Sequence, residues 1–194
     1  MSERLAAQLD FLTEADRLKT VLRANVLADA SRRENSAEHS WHIALYALVL
    51  ADQAGPGVSI DRVIRMLLLH DLVEIDVGDT PIHGAHDPAA IEAAEAAAAE
   101  RIFGLLPADQ RRVLLALWHE FEAGESADAM FARSIDRVQP VMQNLASGGG
   151  TWRDYAVTSD QLDTRVGTKI ARGAPRLWDH VRALTRRYFE AAAD

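Results

Sequence analysis

Histidines and carboxylates lie in this sequence at spacings that suit the binding of a metal ion. The stretch LLLHDLVEIDVGDT, residues 67–80, begins with an apolar run and continues into His70, Asp71, Glu74 and Asp79. Buried ionisable groups are costly unless they are paired or bind a metal. On a helix, His70 and Asp71 lie four and three residues before Glu74, so the three side chains can edge one groove. The stretch therefore indicates a metal site.

The remaining ligands must come from elsewhere in the chain, because a divalent ion needs about three or four protein ligands. The segment ENSAEHSWH offers His39 and His42, and the segment FARSIDRVQPVM offers Asp136 in apolar surroundings. A site with two histidines and two aspartates, open to water, would consist of His39, His70, Asp71 and Asp136. Such ligands suit Mn, Co, Fe, Zn or Mg and do not choose among them.

Each of these residues also has an ordinary structural explanation. His42 competes with His39 for the ligand role, because both lie in the first turns of one helix, and it could equally be a core histidine. Asp136 could be a solvated helix acid paired with Arg133 or Arg137. His83 and His86 are expected in a loop near the mouth of the site, and the role of His119, which lies beside Trp118, stays open.

The composition excludes several classes of protein. The 194 residues carry a net charge of -8 and include no cysteine. Disulfide frameworks, thiolate metal sites and cysteine nucleophiles are therefore excluded. The negative charge argues against binding to a nucleic acid polymer, and no segment approaches the ~20 apolar residues of a membrane span. The first residues do not resemble a signal peptide. We therefore expect a cytoplasmic protein without a membrane or nucleic-acid partner.

Almost the whole chain has the sequence pattern of α-helices that would position these residues. Helix caps, prolines and glycines predict helices at about 3–19, 36–53, 60–77, 88–103, 108–123, 127–146, 159–171 and 175–191. No strand pattern of useful length is visible, and a polar loop is expected after residue 23. Pro140 should kink or interrupt its helix, and the run Gly148–Gly150 predicts a flexible connection. We expect a single all-α domain over residues 1–194.

Taken in order, the motifs resemble the HD-domain superfamily of metal-dependent phosphohydrolases, and within it the 5'-deoxynucleotidase-like branch. The motifs of that branch are present here as AEHS, HDLVE, GDTP and WHEFE, followed by the isolated Asp136. The resemblance covers about residues 17–150, whereas residues 151–194 carry no recognised motif. It implies an HD-domain bundle of roughly seven helices with the metal site in a central cleft.

The resemblance also implies a role for individual residues. The ligands of one divalent metal ion would be His39, His70, Asp71 and Asp136. Glu74 corresponds to the acid that acts on the attacking water, Asp79 to the acid beside the nucleophile, and Arg23 to the arginine that orients the phosphate. Substrate contacts are expected from Arg23, His39, Glu74, Asp79, Thr80, Pro81, Ile82 and Asp136.

The implied reaction is hydrolysis of (deoxy)nucleoside 5'-monophosphates to nucleoside and phosphate by a homodimer. The C-terminal helices would pack on the domain or at the dimer contact, with an apolar stripe at Leu177, Val181, Leu184 and Tyr188. Three alternatives remain open. They are an HD phosphohydrolase for a triphosphate, cyclic or signalling nucleotide, an HD-type diiron oxygenase, and a non-catalytic helical module stabilised by a metal.

One position departs from the branch pattern. A tryptophan often follows the phosphate-orienting arginine, but here the residue after Arg23 is Ala24. We therefore expect weaker discrimination against ribonucleotides, unless another residue such as Trp41 supplies the aromatic ring. The metal chemistry is not affected by this difference.

Overall fold

The described residues, 2–84 and 86–192 of the computed structural model, are mostly α-helical, which confirms the predicted fold class. Among these residues, seven α-helices have ten or more residues. The elements are α1 (Glu3–Ala15), β1 (Leu22–Val26), β2 (Arg33–Asn35), α2 (Ser36–Val49), α3 (Ile60–Leu69), α4 (Glu74–Val77), α5 (Pro88–Phe103), α6 (Ala108–Ala123), α7 (Ala127–Ala146), α8 (Thr151–Asp154), α9 (Ser159–Leu162), α10 (Thr168–Gly173) and α11 (Pro175–Ala191). No helix in this described part is long and apolar enough to cross a bilayer.

Local capping explains most of the helix boundaries. Asn35 and Glu38 form the predicted capping box at the start of α2. The Asp87 side chain accepts hydrogen bonds at the start of α5, directly before its first-turn proline. The start of α3 differs from expectation, since the Ser59 side chain makes no cap. Instead, the Ser59 backbone N–H donates to Asp128 Oδ1 at 2.7 Å.

The prediction of a loop without strands after residue 23 is wrong. Strands β1 and β2 form a short antiparallel hairpin, in which Leu22 pairs with Asn35 and Val26 with Arg33. The strands have only five and three residues, and their register is irregular. This explains why period-2 alternation was not visible in the sequence. The hairpin matters for function because β1 brings Arg23 and Ala24 to the cleft described below.

The predicted helix over residues 60–77 is broken where the metal-binding motif begins. Helix α3 ends at Leu69, a 3₁₀ turn spans His70–Val73, and α4 follows. The Trp118 indole N–H donates to the His70 backbone carbonyl at 3.1 Å and so ties the turn to α6. His70 and Asp71 therefore lie on a tighter turn than the α-helical spacing assumed, and both are buried.

Helix α7 runs through Pro140, so of the two expected effects, a kink or an interruption, the interruption does not occur. It ends at the glycine run, in which Gly148, Gly149 and Gly150 all have positive φ angles. That this connection is flexible stays a prediction. Gly149 has a φ of +115°, and a Cβ at this position would lie 2.0 Å from the Tyr188 hydroxyl oxygen. Only glycine fits this backbone conformation and this close approach. The turn places α8 and the segment after it beside α7.

The apolar core continues from the helices of the motif region into the C-terminal helices. One cluster joins α2, α3, α6 and α7, and includes Ile43, Met66 and Phe131. Another packs Val138 and Trp152 against α11, where Val181 is buried. The C-terminal stripe thus contributes to the core, which was one of its two expected roles.

Candidate metal centre and active-site cleft

Three of the four predicted ligands converge at one point. His39 from α2, His70 from the 3₁₀ turn and Asp136 from α7 each offer a ligand atom, and these atoms lie within 4.8 Å of one another. Asp136 Oδ1 is 3.0 Å from His39 Nε2 and 3.7 Å from His70 Nε2. Two ligands about 2.1 Å from a shared ion lie about 3 Å apart when they meet at a right angle. The spacing therefore suits a common divalent ion.

The fourth predicted ligand lies at the edge of this group. Asp71 Oδ1 is 2.9 Å from His70 Nε2, but Asp71 is not one of the three tightly clustered residues. Its other carboxylate oxygen, Oδ2, accepts a hydrogen bond from Arg23 Nη1 at 2.9 Å. One oxygen of Asp71 is thus directed at the histidine and the other at the arginine.

Both histidines are hydrogen-bonded in a way that leaves one ring nitrogen available to a metal ion. The Nδ1 atom of His39 lies 3.0 Å from Gln139 Oε1, and that of His70 lies 2.9 Å from the Leu67 carbonyl oxygen. Since these acceptors hold a proton on Nδ1, they leave Nε2 as the ligand atom. His70 Nε2 is buried and makes no hydrogen bond with any described residue. A divalent ion would satisfy this atom, so the residues present fit a metal.

In the absence of an ion, His70 and the neighbouring carboxylates shift one another's pKa values. Burial lowers the pKa of His70, but Asp71 and Asp136 outweigh this effect and raise it well above its usual value. Burial also raises the pKa of Asp136, but the neighbouring His39 and His70 outweigh this effect and lower it well below its usual range. A bound cation would compete with the His70 proton, so metal binding should release a proton at neutral pH.

A layer of polar side chains behind His39 was not predicted from the sequence. The buried Glu34 accepts hydrogen bonds on Oε1 from Gln139 Nε2 at 2.9 Å and from Gln143 Nε2 at 2.7 Å. Gln139 in turn accepts from His39. His42 lies behind this layer, with Nδ1 3.2 Å from Gln139 Nε2. The geometry therefore favours His39 over His42 as the ligand. The sequence contains one indication of this layer, because Gln139 lies three residues after Asp136 and therefore on the same face of α7.

Arg23 is surrounded by carboxylates. Its Nη1 atom is 2.9 Å from Asp71 Oδ2, 3.6 Å from Asp79 Oδ1 and 3.9 Å from Glu74 Oε1. Burial lowers the pKa of Arg23, but the three carboxylates outweigh it and raise the pKa above its usual value. The guanidinium is therefore held in place and remains charged.

Glu74 and Asp79 complete this inner group. Burial, together with Asp71 and Asp79, raises the pKa of Glu74 to about 9. The Ser36 hydroxyl donates to Glu74, and the Ala24 backbone N–H donates to Asp79 Oδ2 at 3.1 Å. Burial also raises the pKa of Asp79. A nearby cation would favour the ionised form of both acids.

These groups form one end of a cleft that opens to solvent. The predicted residues on its wall are Arg23, Asp71, Glu74, Asp79, Thr80, Pro81, Ile82 and Asp136. His39 is fully buried and lies behind this wall. The other end has a mainly apolar wall of residues that were not predicted: Pro140, Val141, Trp152, Tyr155, Leu162 and Val166.

The other candidate histidines, His83, His86 and His119, and the alternative aromatic residue Trp41 lie either in the cleft or on the surface. His83 lines the cleft, as does Ala24. His86 Nε2 lies 3.1 Å from the Pro81 carbonyl oxygen at an exposed position, and His119 is exposed on α6. Trp41 is 62% exposed, stacks on the neighbouring His42 and is not a cleft residue. It therefore does not supply the aromatic ring missing at position 24.

Comparisons with known proteins agree with this site. The HD domain family matches residues 15–178. The 5'-deoxynucleotidase HDDC2 of Homo sapiens is 32% identical over 136 residues, which cover 70% of this chain and 65% of the human protein. The chain thus spans less than two thirds of that relative's length. The 5'-deoxynucleotidase YfbR of Shigella dysenteriae is 26% identical over 172 residues, with 84% of each chain covered.

A solved structure is more similar still. It is described as a predicted metal-dependent phosphohydrolase from Magnetospirillum magnetotacticum. It is 50% identical in sequence and superposes with a TM-score of 0.91 over 96% of both chains. The similarity therefore extends through the C-terminal helices, beyond the region that carries the sequence motifs.

Proposed function

Because this chain belongs to the HD-domain family, we propose that it is a metal-dependent phosphohydrolase that converts (deoxy)nucleoside 5'-monophosphates into nucleoside and inorganic phosphate. The observation that carries the proposal is the convergence of His39, His70 and Asp136 at one end of a cleft that also contains Arg23. The names of the relatives support the same reaction class. We propose His39, His70, Asp71 and Asp136 as the ligands of one divalent ion.

A bound divalent ion would polarise a phosphate oxygen and lower the pKa of a water molecule toward ~7. The protein supplies the positioning. Gln139 and Leu67 orient the two histidines, and Arg23, held by Asp71, presents a planar guanidinium to the phosphate. Glu74 would accept a proton from the attacking water, and Asp79 would orient that water. The apolar far end of the cleft suits a nucleoside rather than a second phosphate.

The test is a screen of nucleoside mono-, di- and triphosphates and cyclic nucleotides with Mn, Co, Mg and Zn, in which phosphate release is measured. We expect release from 5'-monophosphates that stops when the metal is chelated and returns when it is restored. A closed structural metal site would bind the metal tightly but give no phosphate release. Release only from another class of nucleotide would assign the protein to a different HD phosphohydrolase reaction.

We also propose that the protein forms a homodimer, and that α2 provides the contact. Its exposed residues Trp41, Leu45, Leu48 and Val49 are 62%, 41%, 59% and 68% accessible, and they follow helical spacing along one side. Sedimentation of the wild type and of Leu48→Glu would test this. A monomeric wild type at high concentration, or a Leu48→Glu variant that remains dimeric, would count against the α2 contact.

Two further expectations remain proposals. One is that residues 1–194 form a single domain, which limited proteolysis would test by whether a shorter stable fragment appears. The other is a cytoplasmic location, which cell fractionation would test.

A further inference from the structure

Arg137 is a cationic residue of the cleft to which the proposed mechanism assigns no role. It follows Asp136 on α7, and both residues line the cleft. Its side chain is 16% exposed, and its Nε atom lies 3.4 Å from Asp136 Oδ2. The Nε atom is buried and makes no hydrogen bond with any described residue. A buried donor without a partner is costly, so this position calls for an anionic ligand.

The balance of charge in the cleft also supports an anionic ligand at Arg137. Among the described residues, four carboxyl groups and two guanidinium groups line it, those of Asp71, Glu74, Asp79, Asp136, Arg23 and Arg137. A divalent ion would bring this set close to neutrality, and a phosphate monoester would then add about two negative charges. The approach of such a dianion requires a cation that is not already engaged by carboxylates.

Arg23 alone does not meet that requirement. Its Nη1 atom is hydrogen-bonded to Asp71, and three further carboxylates, those of Glu34, Glu74 and Asp79, lie within 3.9 Å of its guanidinium. A phosphate that approaches Arg23 must therefore compete with Asp71 and approach Asp79 and Glu74 closely. Arg137 makes one loose ion pair, with Asp136, in the described part of the chain.

We infer that Arg137 is a second phosphate-binding residue, which donates hydrogen bonds to non-bridging oxygens of the phosphate on the α7 side of the cleft. Asp136 is directed into the metal centre, so the adjacent guanidinium lies beside any anion that a bound ion attracts. Guanidinium groups bind phosphate oxygens in a bidentate manner. Arg23 and Arg137 would then hold the phosphate from opposite elements, β1 and α7. The inference rests on the proposed function, because it assigns a residue to the same substrate.

The test is calorimetric titration of the Mn²⁺-loaded protein with inorganic phosphate, which requires no turnover. Arg137→Met removes the charge and keeps the aliphatic stem, and Arg137→Lys keeps the charge without the planar fork. The control is Arg172→Met, which makes the same charge change at an exposed residue of α10 that borders a separate depression. We expect phosphate binding to weaken ~10–100-fold in Arg137→Met, less in Arg137→Lys, and little in the control.

Two further measurements separate phosphate binding from a structural role. Bound metal, measured by elemental analysis, and binding of the free nucleoside should both stay at wild-type levels in Arg137→Met, while KM for nucleotide rises. Unchanged phosphate binding in that variant would overturn the inference, as would metal loss or an equal loss of nucleoside binding. Hydrolysis by the wild type is assayed separately. Failure of the proposed function would therefore appear as absent turnover, whatever the phosphate titrations show.

Discussion

The two ends of the cleft differ in the kind of side chain that lines them. The inner end contains charged side chains with defined partners, such as His39 with Gln139 and Asp71 with Arg23. The outer end is a mainly apolar wall, contributed largely by residues 140–166 and including Trp152 and Tyr155. A hydrogen-bonded ionic arrangement depends on each atom, whereas an apolar surface tolerates changes that preserve its shape. We therefore expect large effects of substitution at the inner end and graded effects at the outer end.

The largest effect is expected from removing a metal ligand. Asp136→Ala should lose the metal and the activity together, because it removes the carboxylate that lies beside both histidine Nε2 atoms. Only His39, His70 and the more peripheral Asp71 would remain, which leaves an incomplete buried site. Metal content by elemental analysis and phosphate release are the measurements. Asp61→Ala removes an exposed acid from α3 and serves as the control. A normal metal content in Asp136→Ala would exclude Asp136 from the site.

Removal of Glu74 should separate binding from chemistry. We expect Glu74→Ala to keep the metal and to bind nucleotide, while turnover falls by ~10²-fold or more, the usual effect of losing a positioned acid or base. Ser36→Ala, which removes only the hydroxyl that donates to Glu74, should have a smaller effect. If Glu74→Ala instead lost its metal, Glu74 would be a ligand rather than a base.

The layer behind His39 offers a third prediction at the inner end. Gln139→Leu removes the acceptor for His39 Nδ1 and a donor to the buried Glu34. Loss of such a supporting hydrogen bond typically weakens metal binding by ~10–100-fold. Competition with a chelator would measure the change. Gln143→Leu also removes a donor to Glu34 but leaves His39 untouched. An equal loss of metal affinity in both variants would show that Glu34, rather than the orientation of His39, controls binding.

The same contrast explains what the sequence could and could not predict. Ligand types are few, so His70, Asp71, Asp136 and one of His39 and His42 could be proposed as ligands from residue type and order, and the family resemblance favoured His39. Capping residues such as Asn35 and Glu38 predicted helix ends, because they act over three residues. The hairpin that carries Arg23 could not be predicted, since tertiary contacts rather than a strand pattern stabilise its short strands. The 3₁₀ turn at His70, tied to α6 through Trp118, also depends on a distant contact.

The apolar wall at the outer end of the cleft could not be predicted from the sequence for a related reason. Trp152 and Tyr155 look like ordinary core or surface aromatics in the sequence, and only the turn at Gly148–Gly150 brings them to the cleft. The sequence predicts Arg137 only as an ion-pair partner of Asp136, which describes its nearest contact but not its position on the cleft wall. Residue type identifies the chemistry of a site, but the shape of its pocket depends on long-range packing.

At the outer end, the first prediction concerns Tyr155, which lines the cleft and is 40% exposed. Tyr155→Ala should raise KM for nucleotide by ~10-fold with little change in kcat or metal content, because a base stacked on an aromatic ring gains about 1–3 kcal/mol. Tyr155→Phe keeps the ring and should resemble the wild type. A KM that is unchanged in Tyr155→Ala would place the nucleoside elsewhere in the cleft.

The smallest effect is expected at Ala24, which lines the cleft beside Arg23. An aromatic ring at this position would crowd a 2' hydroxyl, and apolar crowding discriminates against an added hydroxyl by at most ~10²-fold. We therefore expect wild-type protein to distinguish dAMP from AMP weakly, and Ala24→Trp to raise the ratio of their kcat/KM values several-fold. Ala24→Leu adds bulk without a ring and is the matched control. The Ala24 N–H bond to Asp79 is made by the backbone, so both variants can retain it. A strong wild-type preference for dAMP that neither substitution changes would place sugar selection at the outer wall rather than beside the phosphate.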